Sequence, residues 1–405
     1  RNRSSAASDV YKRQILRNPV LIEKKTRETL KETMQQNYAF ISEEMQRSDW
    51  FSVYINSFVS QYDPNTSYLD PESKDRFDVD MSGNYAGIGA RLQKKIDKVE
   101  ITEVISGGPA WRDNILEKGD AILKVRQDKE DEPVGILNMR LSEAVKLIKG
   151  KKGTKVHLTV KKVDGTVTEV TVKRDIVLLE ETYIKSSIVE KDNNTYGLIN
   201  IPKFYIDFDN QSNRDAAKDL RTEIERLKEQ GIQGLVIDLR NNGGGALKTV
   251  VDMAGMFIKN GPVVQVKYFD KEKQVLSDRD RSVLWTGPLV ILVNEGSASA
   301  SEILAAAMQD YKRAIIIGGN QTWGKGTVQN VFPLNRMVRG NTNGDLGALR
   351  YTTQKYYRIN GGSVQLEGVK SDINVPYRYK YLEFGEKDSE NPLQWDEIDL
   401  SLIHI

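Results

Sequence analysis

Residues 289–303 read LVILVNEGSASASEI. The run from Leu289 to Val293 is apolar throughout, which is typical of a strand buried on both faces of a parallel sheet. A short polar turn follows, and a helix is predicted from about Ser301. A strand that leads directly into a helix exposes a side chain at the edge of the sheet and points helix amides towards it. The segment therefore predicts an α/β layer with a candidate site at this junction.

Three serines stand at the junction: Ser297, Ser299 and Ser301. A serine in this position can attack a carbonyl carbon while the next backbone amide holds the oxyanion. The same serines can instead only cap the helix, with Ser301 as the N-cap residue, and composition alone favours that interpretation. Spacing does not choose among the three.

The alternation of strand and helix extends around this segment. Apolar strands are predicted at 197–201 and 235–237, with helices at 217–227 and near 250–258. Such alternation implies a sheet with its sites at the strand ends. Residues 238–245, which read DLRNNGGG, follow one of these strands. Three glycines free backbone amides to point into a cavity, so one can be a second oxyanion donor, although an ordinary turn explains the segment equally well.

A second candidate lies at residues 318–329, which read GGNQTWGKGTVQ. Lys325 stands between two glycines, so its backbone can pass close to a partner. A buried lysine amine loses its charge and can act as a base, and Gln329, four residues later, could orient it. For one such motif, an exposed lysine in a glycine turn is the commoner interpretation.

The spacing from Gly319 to Lys325 also resembles a nucleotide-binding P-loop. That loop needs Ser or Thr directly after its lysine to hold magnesium, and a helix at the same place. This chain has Gly326 there, followed by the β-like run 327–331. Both requirements fail, which argues against an ATPase or GTPase.

Composition excludes several classes of site. The chain has no cysteine and only two histidines, His157 and His404. Thiol catalysis, thiolate metal sites and disulfides are therefore excluded, and a Ser-His-Asp triad or an HExxH zinc site nearly so. We expect no cofactor and no metal. A net charge of +2, from 59 basic and 57 acidic residues, gives no electrostatic case for nucleic acid, and no apolar run is long enough to cross a bilayer.

The chain before residue 176 divides into two predicted regions. Helical patterns at about 21–45 and 50–59, stopping at Asp63-Pro64-Asn65, indicate a helical N-terminal region at 15–77. Short β-like runs and one helix at about 141–149 indicate a β-rich module at 78–175, with a hairpin at Asp164-Gly165. The module opens with Gly87-Ile88-Gly89-Ala90, a loop that can present amides to a peptide carboxylate or be a plain turn. The α/β core is predicted at 176–395.

Taken together, the motifs resemble the C-terminal processing (tail-specific) proteases, which are serine peptidases with a Ser-Lys dyad and a PDZ domain. The resemblance runs from about Phe58 to about Trp395. The motifs that carry it are SASASEI at 297–303, AMQDY at 307–311, GKGTVQ at 324–329, DPNTSYL at 63–69, DLRNNGGG at 238–245 and QKYYRINGGS at 354–363.

The resemblance implies a role for each matched position. Ser299 corresponds to the nucleophile, Lys325 to the general base and Gln329 to the residue that orients this base. Ala300 and Gly244 correspond to the amides of the oxyanion hole. The loop of Gly87, Ile88, Gly89 and Ala90 corresponds to the peptide-binding loop of a PDZ domain. Asp310 also matches a family position, where a structural role is expected.

Further expectations follow from the same resemblance. The fold would be an α/β (α+β) multi-domain protein, with a β-rich PDZ domain inserted in an α/β protease core. Partners would be proteins with unstructured C-termini and an adaptor protein, in the periplasm or cell envelope of a bacterium. The chain looks truncated, and its segment 318–321 is one residue longer than usual before the lysine. The non-enzymatic alternative is a catalytically inactive PDZ peptide-binding adaptor.

Overall fold

The computed structural model describes residues 19–39, 41–42, 45–95, 98–137, 139–207, 214–269, 271–342, 344–376, 382 and 384–400. The chain forms two compact units, residues 1–55 and 56–405. Within the described ranges, every helix is too short or too polar to span a bilayer. The opening stretch 1–14 and His404 lie outside these ranges.

Two helices occupy the N-terminal region: α1 (Pro19–Ala39) and α2 (Arg47–Val59). The helix predicted at 21–45 is confirmed but ends at Ala39. The helix predicted at 50–59 begins three residues earlier and ends at Val59, ahead of the turn at Asp63-Pro64-Asn65.

A short connecting segment follows, with β1 (Ser67–Leu69), α3 (Pro71–Ser82) and β2 (Asn84–Gly87). The Asp70 carboxylate caps α3 by accepting the amides of Glu72 and Ser73, and Pro71 stands at the first helical position. Gly83 ends the helix in the left-handed conformation that glycine adopts most readily.

The β-rich module is a twisted antiparallel sheet with one main helix. Its elements are β3 (Ala90–Lys94), β4 (Val99–Val104), α4 (Pro109–Arg112), β5 (Ala121–Gln127), β6 (Val134–Gly135), α5 (Leu141–Ile148), β7 (Lys155–Lys161) and β8 (Val167–Lys173). The strand order is β3-β4-β5-β7-β8, with β6 on β5, so β3 is an edge strand. The predicted hairpin at Asp164-Gly165 joins β7 to β8, and the predicted helix is α5. His157 lies on β7 and bonds Thr171 of β8, as an ordinary strand side chain does.

The chain leaves the module through β9 (Asp175–Leu178), which pairs antiparallel with β2. Gly87 is opposite Asp175 in this pair. Both connections of the β-rich module to the rest of the unit therefore run along one two-stranded ribbon.

The core contains a mostly parallel sheet with crossover helices. Its elements are β10 (Lys185–Lys191), β11 (Asn194–Asn200), α6 (Ala216–Glu229), β12 (Gly234–Asp238), α7 (Leu247–Gly255), β15 (Leu289–Val293), α8 (Ala300–Asp310), β16 (Ile315–Gly318) and β19 (Ile373–Asn374). The strand order is β10-β11-β12-β15-β16-β19, and every pair except β10–β11 is parallel. The predicted strands and helices of this layer are confirmed. The mixed α/β fold class is therefore as expected.

A second, antiparallel sheet packs beside this layer, and the sequence did not predict it. Its strands are β13 (Gly261–Tyr268), β14 (Gln274–Asp278), β17 (Thr327–Pro333), β18 (Ala348–Tyr357) and β1. One edge of β18 pairs with β17, and the other with β1 and then β13. The strand following Lys325 is thus joined, through β18, to a segment that precedes the β-rich module. The predicted boundaries of 15–77, 78–175 and 176–395 stay predictions.

Candidate active site

Two loops meet at the carboxyl edge of the parallel sheet because the strands before them are neighbours. β12 and β15 pair in register, with Asp238 opposite Leu292. Beyond this pair, the Asn294 side chain accepts the Asn241 amide at 2.8 Å and donates to the Asn241 side chain at 2.8 Å. The glycine-rich segment and the serine segment therefore form one surface.

The three serines of the junction have different surroundings. Ser297 is fully buried and donates to the Leu239 carbonyl at 2.8 Å. Ser301 is fully buried and donates to the Asn242 carbonyl at 2.8 Å. Ser299 is partly exposed. The hydroxyls of Ser297 and Ser301 therefore hold the glycine-rich segment in place, and of the three serines only Ser299 is accessible to solvent.

Ser299 also has an unusual backbone. It is the N-cap residue of α8 and has φ 56° and ψ −113°. The N-cap position expected from the sequence, Ser301, is two residues later. A positive φ is sparsely populated for a residue with a side chain and costs about 1–3 kcal/mol. A strained turn between a strand and a helix is the geometry that exposes a nucleophilic side chain above a sheet.

Gly244 lies directly against this turn. A Cβ on Gly244, which has φ 106°, would stand 2.8 Å from the Ser299 Cβ and 3.1 Å from the Ala300 nitrogen. The Ala300 amide is at the first position of α8 and has no acceptor among the described residues. The Gly244 amide donates to Asn242 Oδ1 at 2.9 Å. The two predicted oxyanion donors thus lie side by side, one open and one occupied by a side chain.

Lys325 is held between two glycines that pack against neighbouring backbone. A Cβ on Gly324 would be 2.9 Å from the Leu366 carbonyl carbon, and one on Gly326 would be 2.8 Å from the Gln365 nitrogen. Gly324 accepts the Leu366 amide at 2.8 Å, and the Gly326 amide donates to Gln365 Oε1 at 2.8 Å. The Lys325 backbone is therefore held on both sides. β17 begins at Thr327, where the sequence predicted a β-like run and not the helix that a P-loop needs.

The Glu302 carboxylate joins the serine turn to the lysine loop. Oε2 accepts the Ser299 amide at 2.7 Å and the Lys325 amide at 3.0 Å. Oε1 accepts the Thr322 hydroxyl at 2.6 Å and the Gly324 amide at 2.7 Å. Complete burial raises the pKa of Glu302 to about 7, although the four donors act to lower it. The role of Glu302 was not predicted from the sequence, although its spacing of three from Ser299 is a capping-box signal.

Tyr356 makes a second connection between the same two segments. Its hydroxyl lies 2.6 Å from the Lys325 carbonyl oxygen and 3.2 Å from the Ser299 carbonyl oxygen. The side chain is fully buried, and burial raises the pKa of Tyr356 well above its ordinary value, so it stays a neutral donor. Glu302 therefore connects the backbone amides of Ser299 and Lys325, and Tyr356 connects their carbonyl oxygens.

The Lys325 amine has neither a hydrogen bond nor an ion pair with any residue in the described part of the chain. Burial is the main cause that lowers the pKa of Lys325, to about 8, and the positive charge of Arg350 lowers it further. Three carboxylates, Glu386, Glu302 and Asp63, act in the opposite direction. An amine with this pKa is partly neutral near pH 8 and can accept a proton.

The Gln329 side chain makes no hydrogen bond with Lys325 in this structure. Its side-chain nitrogen donates to the Thr327 hydroxyl at 2.8 Å and to the Thr352 hydroxyl at 3.1 Å. Thr352 in turn donates to Asp63 Oδ1 at 2.9 Å. A bulge in β17 immediately before Gln329 changes the direction of its side chain relative to a regular strand. Its role in orienting the amine stays a prediction.

A buried carboxylate near the C-terminal end also reaches this region, and no sequence motif pointed to it. Glu386 accepts the Asn65 side-chain amide at 2.7 Å and the Trp323 indole at 2.9 Å. Trp323 stands two residues before Lys325, and its carbonyl accepts the Glu386 amide at 2.9 Å. The lysine loop is therefore held by segments far away in the sequence on both sides.

Other predicted residues lie away from this cluster. Asp310 accepts the Arg358 guanidinium at 3.1 Å, which ties the end of α8 to the segment after β18 and agrees with a structural role. The loop of Gly87, Ile88, Gly89 and Ala90 joins β2 to β3 in the β-rich module. In the described part of the chain, no three acidic or histidine side chains group as a metal site requires.

Three family models match the chain. They are the tail specific protease N-terminal domain over residues 4–72, the PDZ domain over residues 77–161, and peptidase family S41 over residues 195–375. The last of these includes Gly244, Ser299 and Lys325. The segments at Asp63 and Glu386 lie outside the peptidase match.

Two curated relatives are similar over most of the chain. The tail-specific protease of Haemophilus influenzae is 41% identical over 354 residues, which are 86% of this chain and 49% of that protein. The carboxy-terminal processing protease CtpA of Bacillus subtilis is 33% identical over 315 residues, which are 77% of this chain and 61% of that protein. The chain thus spans about half the length of the first relative and under two thirds of the second.

Among solved structures, a photosystem II D1 C-terminal processing protease aligns with 89% of this chain and 92% of that chain. The identity is 23% and the TM-score is 0.46.

The Glu302 contacts predict the result of replacing its carboxylate by an amide. Glu302→Gln puts an NH₂ group where one oxygen accepts two donors, so we expect a loss of about 2 kcal/mol in the free energy of unfolding. Amide hydrogen exchange should become faster at Ser299, Gly324 and Lys325. Glu225→Gln, on the exposed face of α6, is the control. Unchanged exchange at all three amides would show that the carboxylate does not hold the two segments together.

Proposed function

The chain belongs to the C-terminal processing (tail-specific) protease family, within peptidase family S41, and from this premise we propose that it is a serine endopeptidase acting on protein C-terminal tails. In this proposal Ser299 is the nucleophile and Lys325 the general base. The observation that carries it is the Glu302 carboxylate, which accepts the backbone amides of both residues. Its location outside the bacterial cytoplasm, implied by the family, stays a prediction.

The chemistry follows from the protonation state of the amine. Neutral Lys325 takes the proton of the Ser299 hydroxyl as Oγ attacks the scissile carbonyl carbon, and the carbonyl oxygen becomes an oxyanion. The protonated amine then returns this proton to the departing peptide nitrogen, which leaves an acyl-enzyme. Water adds to the ester carbonyl and gives a proton to the same amine, which passes it to Ser299 Oγ as the ester bond breaks and the new carboxylate leaves. No metal or cofactor is needed for these steps.

The oxyanion would be held by the amides of Ala300 and Gly244. The Ala300 amide is open and at the positive end of α8. The Gly244 amide must leave Asn242 Oδ1 or share its proton with the oxyanion. A charged acceptor is roughly twice as strong as a neutral one, so the oxyanion can compete for this donor.

The β-rich module would capture the tail. β3 has an open edge, and a peptide strand can add to it beside α5. The carbonyls of Ile88 and Gly89 accept the amides of Ala110 and Ile105. Because N–H and C=O point in opposite directions across a trans peptide, the following amides, of Gly89 and Ala90, face away from these contacts. Those two amides are the proposed donors to a terminal carboxylate.

The dyad is tested by removing each member. Ser299→Ala and Lys325→Ala should each reduce hydrolysis of a quenched-fluorescent unfolded protein by about 10³-fold or more, because both groups act in one step. Thermal unfolding should be little changed. Lys312→Ala, at an exposed position, is the control. Wild-type hydrolysis by Lys325→Ala would contradict the proposal, and failure of a fluorophosphonate to label Ser299 would favour the inactive adaptor.

The oxyanion role is tested by two adjacent glycines with different surroundings. Gly244→Ala places a methyl group against Ser299 at a left-handed backbone position, and Gly243→Ala meets no atom within 4 Å. We expect kcat for the same substrate to fall about 10²–10³-fold for Gly244→Ala and by less than about threefold for Gly243→Ala. Equal effects of the two substitutions would contradict the assignment of Gly244.

The tail-capture role is tested through the substrate. A peptide whose C-terminus is amidated loses the charged acceptor for Gly89 and Ala90, so kcat/KM should fall about tenfold relative to the free acid, mainly through KM. The rate of Ser299 labelling by a fluorophosphonate, which lacks a peptide tail, serves as the control. Equal kcat/KM values for the two peptides would leave the β-rich module without this role.

A further inference from the structure

Arg350 is a partly buried cation whose guanidinium has no hydrogen-bond or ion-pair partner among the described residues. It lies on β18 between two neighbouring strands, opposite Ser67 of β1 and Val331 of β17. Its Nε is buried without a hydrogen bond, and so is the hydroxyl of Ser67. Within the described ranges, no carboxylate forms an ion pair with the Arg350 guanidinium.

This arrangement is unfavourable for folding. Burying a cation without a counter-ion is unfavourable, and arginine cannot avoid this by losing its proton. Burial already lowers the pKa of Arg350, and only Asp63 acts in the opposite direction. The nearby carboxylates that could neutralise it hydrogen-bond to other groups. Asp63 accepts the hydroxyls of Thr66 and Thr352.

The position of Arg350 relates it directly to the lysine loop. Arg350 and Thr352 are two residues apart on β18 and therefore lie on the same face of the sheet. Thr352 bonds Gln329, which also bonds the hydroxyl of Thr327, two residues after Lys325. The face that carries the unpaired guanidinium is thus the face that the lysine loop joins.

Four charged groups on four different segments act on the Lys325 amine. Glu302 is on α8, Glu386 lies near the C-terminal end, Asp63 precedes β1, and Arg350 is on β18. All three carboxylates favour a protonated amine, whereas burial of the amine and, among the charged groups, the guanidinium oppose it. Each carboxylate is held near the site by its own hydrogen bonds.

We propose that Arg350 is a positioning residue for the reaction: its permanent positive charge, on the face of the sheet that the lysine loop joins, adds to burial in favouring the unprotonated Lys325 amine that accepts the proton of Ser299. The inference rests on the proposed function of these two residues. Arg350 contacts neither of the reacting atoms and acts only through its field. Because arginine stays charged over the whole working range of pH, this field is constant while Lys325 titrates.

The sign of the expected change follows from like-charge repulsion. A positive neighbour disfavours the protonated amine, so its removal raises the pKa of Lys325 from about 8. The ascending limb of the pH–rate profile should then move to higher pH. If the movement is about 0.5–1 pH unit, the neutral fraction of the amine at pH 7 falls roughly three- to tenfold. The rate at about pH 10 should approach that of the wild type.

The experiment compares Arg350→Met, Arg350→Lys and the control Arg339→Met in the full chain. Arg339 is exposed on the connection between β17 and β18. The first readout is the rate of Ser299 labelling by a fluorophosphonate between pH 5.5 and pH 10. The second is the pKa of Lys325 from competitive acetylation quantified by mass spectrometry, which does not depend on catalysis. Thermal unfolding checks that each variant is folded.

Arg350→Met should raise the Lys325 pKa and move the ascending limb, while Arg350→Lys and Arg339→Met leave both in place. Its melting temperature should not fall, because an unpaired buried charge has been removed. An equal loss of rate at every pH, or an unmoved Lys325 pKa, overturns the inference. So does a higher KM for acidic substrates with an unmoved limb, which would mean that the guanidinium binds substrate.

Lys325→Ala, measured in parallel, separates this inference from the proposed function. If Lys325→Ala is labelled at the wild-type rate, the dyad itself is wrong. If Lys325→Ala is not labelled and Arg350→Met leaves the limb in place, only the role of Arg350 is wrong.

Discussion

The Glu302 carboxylate is the interaction on which the candidate site depends. It lies in the first turn of α8 and accepts two backbone amides from the lysine loop and one from the serine turn. The serine turn follows β15 of the parallel sheet, whereas the lysine loop leads into β17 of the antiparallel sheet. Regular secondary structure therefore does not hold these amides together. A buried anion that accepts several amides makes charge-assisted bonds, which are stronger than neutral ones and restrict the backbone more tightly. Ser299 keeps its strained φ because Glu302 holds its amide and the Tyr356 hydroxyl lies against its carbonyl oxygen.

The lysine loop depends on parts of the chain outside the peptidase match. Asn65, before the β-rich module, and Trp323, just before Lys325, both donate to Glu386 near the C-terminal end. Asp63 reaches the same region through Thr352. Such contacts mean that the electrostatic surroundings of the Lys325 amine are assembled from four segments. Its pKa is therefore a property of the folded chain and not of the GKGTVQ motif alone.

Sequence patterns predicted the parallel layer well, but of the antiparallel sheet they predicted only the strand β17 and not its pairing. β12 and β15 are continuous apolar runs, so their burial is visible in the sequence. β18 reads ALRYTTQKYY and is mostly half-buried, without an apolar period of two. Its pairing with β1 joins residues that are far apart in the sequence. Pairing at that distance leaves no local pattern, so the sheet that carries Arg350 and follows Lys325 was missed.

The sequence by itself determined which residue types could carry chemistry. The chain has no cysteine and only two histidines, which argued against the usual catalytic bases. The order of the motifs then indicated Ser299, Lys325 and Gly244 through family resemblance. Spacing did not distinguish the three serines, but the tertiary structure did, because the hydroxyls of Ser297 and Ser301 donate to backbone carbonyls of the glycine-rich segment. It also revealed Glu302, Glu386 and Arg350 as the charges around the site. The physical reason is that burial and charge proximity arise only when distant segments pack together, whereas strand and helix patterns are local properties of the chain.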